Sequence, residues 1–175
     1  EYMAINRDEQ AVETFERAAR YADDETREAE AWVNKGIAHG ELEEWDAAVS
    51  AHREAVHVDE DGEFAAQAHT NLAYALWERG EDEDAFRHAE EAVRADRRLP
   101  QAWYNLGFIR VEHGQHEDAL ECLNNAIRLG FQDPAVYEEK ARALEGLDRE
   151  EEAAEVRETA TEMQEAQEEQ LIQRE

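Results

Sequence analysis

The chain has one cysteine, two prolines and two lysines in 175 residues. A lone cysteine, Cys122, excludes a disulfide within the chain. It lies beside an apolar helical stripe and reads as a small buried side chain. With only Pro100 and Pro134 present, little interrupts long helical stretches. No apolar run approaches the roughly 18 residues that a membrane span needs, and no leader segment is visible. The expectation is a cytoplasmic protein that does not bind membranes. Basic charge is also scarce: 18 Lys and Arg face 46 Asp and Glu, for a net charge of −28. Nothing basic is clustered to neutralise phosphate, so no nucleic-acid partner is expected. A glycine-rich phosphate loop, a Ser–His–Asp order and a carboxylate pair in an apolar pocket are all missing. The chain therefore reads as no enzyme, with no cofactor.

What is present is a repeat. A hydrophobic share of 42% argues against disorder despite the charge. The stretch from Gln101 to Gly130 reads as two helices folded back on each other. Trp103, Leu106, Gly107 and Arg110 form one stripe, Ala119, Leu123 and Ala126 another, and Gly114 lies between them. Shifted back by 34 residues, Leu72, Ala73, Gly80, Ala85 and Ala92 fall on the same template. Shifted forward, Tyr137, Ala141, Ala153 and Ala160 do so. Trp32, Gly36, Ala48 and Ala55 make a further unit, and Ala11, Phe15 and Ala18 match the second-helix stripe alone.

A helix–turn–helix period of 34 residues with these residues at fixed offsets resembles the tetratricopeptide repeat. The resemblance implies an all-α, right-handed superhelical solenoid with a long C-terminal helix. The units read as one domain over 1–175. An N-terminal cap or half repeat covers 6–21, repeats cover 29–58, 66–95, 100–130 and 134–160, and 161–175 extends the last helix. Two departures stand out. The proline usual near the repeat's end is missing, and Pro100 and Pro134 instead open units, where a first-turn proline loses no hydrogen bond. Lys35 and Lys140 stand where the family prefers Leu, which points to looser packing of the outer units.

The two lysines leave 16 arginines among the basic residues, and acidic runs cover the outward faces, including Glu41 to Glu44, Asp59 to Glu63 and Glu150 to Glu152. Self-repulsion at this density weakens a fold in dilute buffer. It fades at about 1 M salt, where the Debye length is only about 3 Å. The composition points to a salt-loaded, halophilic cytoplasm, with an ordinary acidic repeat protein as the alternative.

The resemblance implies that a second stripe on each first helix lines a concave groove that binds an extended or helical segment of a partner protein. That stripe holds Val33, Asn34 and Ile37, then Thr70, Asn71, Tyr74 and Trp77, then Tyr104, Asn105, Phe108 and Val111. Asn34, Asn71 and Asn105 share one repeat position, and an amide there offers donors and an acceptor to a peptide backbone. The aromatic rings are contact anchors, or else packing between successive first helices, a role assigned more to Tyr74 and Phe108 than to Tyr104 and Trp77. The basic clamp that some family members use for acidic tails is unmatched, so the partner segment is expected to be apolar or basic.

Two other readings come from the same residues. The stripe Ala153, Val156, Ala160, Met163, Gln167 and Leu171 runs past the repeat boundary and suggests a homo-oligomer formed through the last helix. His113 and His116 flank Gly114, and His52 and His57 share a helix. No third or fourth convergent ligand accompanies them, so a metal-binding protein is the weakest reading. The segment Asp59 to Gly62 lacks the later ligands of a calcium loop and reads as a solvated connector.

Overall fold

The computed structural model describes residues 2–172, with side chains described over 7–169. Among the described residues every regular element is helical: α1 (Tyr2–Arg20), α2 (Glu25–Glu41), α3 (Trp45–Val58), α4 (Ala65–Glu78), α5 (Asp82–Ala95), α6 (Pro100–Glu112), α7 (His116–Arg128), α8 (Pro134–Glu145) and α9 (Glu150–Ile172). This is an all-α helical repeat fold ending in its longest helix, of 23 residues. No described helix is long and apolar enough to cross a membrane.

Local chemistry sets the helix ends. The Asp24 carboxylate accepts from the Arg27 amide at 2.8 Å and caps α2. Asp133 accepts from the Ala135 amide at 2.9 Å and caps α8. Pro100 and Pro134 open α6 and α8. Each hairpin then turns on one residue at the same repeat position. Gly80 has φ +76° and Gly114 φ +68°, while Glu43 (φ 57°) and Asp148 (φ 58°) adopt the same left-handed conformation without being glycine. In the last hairpin Asp148, and not nearby Gly146, takes the left-handed turn.

The chain divides into two compact units, 1–97 and 98–175. In the first, α2 packs against α1, α3 and α4, and α4 against α3 and α5. Val33, Ala55 and Ala68 form a core cluster with Trp32, Val56 and Phe64 at its margin. Leu72 and Leu76 of α4 are fully buried, each worth about 1.5–3 kcal/mol of apolar transfer. In the second unit, α6 packs on α7 and α8, and α8 on α7 and α9. Leu120, Leu123, Val136 and Leu144 are its buried centre.

Glycine lets paired helices close. A Cβ at Gly107 would lie 2.8 Å from Leu123, and one at Gly36 would overlap the His52 ring. These are the same repeat positions, so His52 occupies in α3 the slot that Leu123 fills in α7.

Several of the scarce basic groups are shared between acids. Arg79 meets Asp46 at 3.2 Å and Glu81 at 2.8 Å. Arg142 bridges Glu112 and Glu139, and Arg157 meets Glu145 at 2.7 Å and Glu138 at 3.5 Å. A planar fork of donors serves two carboxylates where an ammonium is a single point, which fits the dominance of arginine. Lys35 keeps its place near the core by lying 3.4 Å from Glu16 and 5.0 Å over the Trp32 ring.

Candidate functional site

Three large apolar side chains are exposed among the described residues: Tyr21, Ile37 and Tyr74. Each lines a cleft in the first unit. The larger cleft, of about 440 Å³, is formed by Gly36, Ile37, Gly40, Glu41 and Glu43 of α2 and its turn, by Trp45, Ala48 and His52 of α3, and by Asn71, Tyr74 and Ala75 of α4. A neighbouring cleft of about 400 Å³ lies between α1 and α2 and includes Phe15, Tyr21, Arg27 and Asn34.

In the larger cleft Tyr74 and Trp45 meet edge to face, with centroids 5.8 Å apart and an interplanar angle of 83°. The Tyr74 phenol is pushed up to about 12, first by burial, then by its hydrogen bond to Glu78 and the charges of Glu78 and Glu41. Two of the lining residues, His52 and Asn71, each carry a sealed polar atom. His52 is only 3% exposed, and its Nδ1 finds no hydrogen-bond partner. The Asn71 Nδ2 is likewise buried and unpartnered. Burial, and secondarily the charge of His39, holds the His52 imidazole down to about 4, so it is neutral near pH 7.

The structure divides the residues singled out from the sequence. Ile37 and Tyr74 are exposed in the cleft, with Asn71 half-buried beside them, and Asn34 lies half-buried in the adjacent cleft. Trp77 of α4 and Phe108 of α6 are half-buried. Val33, Thr70, Asn105 and Val111 are buried, at 1%, 2%, 6% and 6% exposure. The expectation that these four line an open groove is corrected: each is sealed by the chain's own packing. Val33 belongs to the core of the first unit and Val111 to that of the second. The Thr70 hydroxyl donates to the Ala66 carbonyl at 2.7 Å. The Asn105 Oδ1 accepts from Gln101 Nε2 at 3.1 Å. The asparagine set is thus not uniform.

The rings also differ from expectation. Tyr74, given more weight as packing than Tyr104, is 46% exposed. Tyr104 is half-buried and stacks on Phe131 with centroids 4.7 Å apart. His52 was missed as a lining residue because its spacing from His57 says nothing about where it packs. The usable signal was its repeat position opposite a mid-helix glycine.

A third cleft, of about 470 Å³, lies on α3, α5 and the connector, with His69 of α4 reaching into it. His69 and His88 bring their Nδ1 atoms within 2.9 Å. Their centroids are 5.1 Å apart, little less than that gap plus two ring radii, so the rings lie end to end. One Nδ1–H donates to the other ring's bare nitrogen, which leaves no room for a cation between them. Among the described residues no group of three or more His, Cys, Asp or Glu side chains converges as a metal site. His113 instead turns its Nδ1 toward the Ile109 carbonyl at 3.2 Å, and the His116 ring fills the space a Cβ would need at Gly146. Along α9, Ala153 and Ala160 are buried and Val156 and Met163 half-buried, but residues 164–169 are all exposed. Leu171 is a side chain outside the described range.

Comparison with known proteins accords with this architecture. Two family models, both described as tetratricopeptide repeat, match residues 33–100 and 100–132. Among solved structures, MamA from Desulfovibrio magneticus RS-1 is 21% identical, with a TM-score of 0.72 over 91% of this chain and 87% of that one. A second MamA structure is 19% identical, with a TM-score of 0.72 over 90% of this chain and 89% of that one. BtubC (BKLC) from P. vanneervenii is 16% identical, with a TM-score of 0.74 over 90% of this chain and 72% of that one. At these identities the likeness is one of fold. No curated protein sequence matches the chain. On the matched repeats and the helical hairpins that carry them, the chain belongs to the tetratricopeptide-repeat family.

Proposed function

We propose that the chain is a non-catalytic scaffold that binds a segment of a partner protein along the α2 and α4 face of its first unit. One observation carries this reading: two of the three exposed large apolar side chains, Ile37 and Tyr74, line the same cleft. Exposed apolar surface gathered in a concavity marks an interaction site more than apolar residues scattered singly do. The family's general role as a protein-interaction scaffold agrees with it. Asn71, half-buried beside Ile37 and Tyr74, is an amide in the same lining.

Selection of binders from a random peptide library against the full chain tests the reading. Recovered peptides are expected to lose at least about tenfold in affinity on Tyr74→Ala, as an aromatic anchor should. Failure to recover any binder would overturn the proposal, as would binders that hold wild type and Tyr74→Ala equally.

A further inference from the structure

We propose that the Tyr74 cleft takes an arginine side chain of the bound segment. The inference rests on the scaffold reading and specifies what the site recognises. Its mouth carries Glu41 and Glu43, and its lining includes no lysine or arginine. The nearby cations are already engaged. Arg79 is held by Asp46 and Glu81, and the His39 ring lies 2.7 Å from Glu44. No ion pair involves Glu41 or Glu43 among the described residues, although each basic group named above pairs with one or more acids. Glu78 and Glu41 add negative potential at the Tyr74 phenol.

The walls suit a flat cation. Trp45 and Tyr74 stand at 83° to one another and bring two aromatic walls to the cleft, and a planar guanidinium can lie flat on an aromatic face, a contact that the compact ammonium makes only as a point charge. The floor adds no competing charge. It is the His52 ring, 3% exposed, wedged over Gly36 and kept neutral near pH 7 by burial. A guanidinium carries five N–H donors in a fork, so one edge can meet a carboxylate while its plane lies against a ring.

The competing occupants fit less well. A leucine would dehydrate Glu41 and Glu43 without compensation. A carboxylate would meet repulsion from both glutamates. A lysine would satisfy one acceptor at a time.

The peptide selection described above supplies the probes. Recovered binders are expected to share an arginine at a fixed place. Replacing it by citrulline, which keeps the shape and removes the charge, should lower affinity for the wild type at least about tenfold. The same replacement should cost less than about twofold on the Glu41→Gln, Glu43→Gln double variant. The triple variant Glu150→Gln, Glu151→Gln, Glu152→Gln, in the second unit, should keep the full citrulline effect. Binders that depend on Tyr74 but share no arginine would overturn this inference and leave the scaffold standing. Equal affinity for arginine and citrulline peptides would overturn it too. So would a citrulline effect that disappears in the triple variant, because that is diffuse attraction to an acidic surface. If no binder is recovered, both readings fall.

Discussion

The four hairpins place a residue at one shared position in left-handed conformation, and two of them do so without glycine. Left-handed backbone costs an ordinary residue about 1–2 kcal/mol because Cβ crowds the following carbonyl. Glu43, at φ 57°, carries that cost. Glu43→Gly removes it but returns about 0.4–1 kcal/mol through the greater freedom of glycine in the unfolded chain. The net expectation is a stabilisation of about 0.5–1 kcal/mol, a rise in Tm of roughly 1–4 °C for a chain of this size. Losing a negative charge from a chain at −28 also stabilises, so Glu43→Gln is the required control: it removes the charge and keeps the Cβ. Thermal melting at fixed salt should rank Gly above Gln above wild type at position 43. Asp148→Gly should gain less over Asp148→Asn, because Asp and Asn tolerate this region better than Glu. At the same position in the other hairpins, Gly80→Ala and Gly114→Ala should each lose about 1 kcal/mol or more. Equal melting of the Gly and Gln variants at 43, or a loss on Glu43→Gly, would show that backbone strain is not stored there.

Three further outcomes are expected. His52 and His88 are both held down to about 4, chiefly by burial, and His69 is lowered for the same first reason. A depressed folded value means full stability above the unfolded value of about 6.5, with stability lost as pH falls from there toward about 4. His52→Leu should flatten part of that loss in a Tm-against-pH series; an unchanged slope would refute the assignment. Gly107→Ala pushes a methyl to within 2.8 Å of Leu123 and should cost about 1–3 kcal/mol by denaturant unfolding. Raising KCl from about 0.1 M to about 1 M shortens the Debye length from about 10 Å to about 3 Å, so Tm should climb; a flat curve would count against repulsion as the fold's main electrostatic burden.

Much of the architecture is legible in the residues alone. Period and small-residue offsets announce the hairpins, and Gly80 and Gly114 announce their turns. The face left open is harder to read. A first helix such as α2 is covered by α1, α3 and α4, so only a narrow strip of it reaches solvent. A stripe chosen by spacing spans that strip and its covered borders together. Val33 therefore lands in the core while Ile37, one turn on, is exposed. Tyr104 is turned from contact to packing by Phe131, on which it stacks, a neighbour set by a connector that no helical period describes.

The opposed pair of glycine and bulky knob has an evolutionary consequence. Gly107 with Leu123 makes a greasy seam, whereas Gly36 with His52 makes a seam whose knob is an imidazole lining a cleft. Exchanging one knob alters what a repeat can recognise without touching the turn, the caps or the neighbouring hairpins. An array built this way can acquire a new preference by a single replacement in one unit while its siblings carry on holding the structure together.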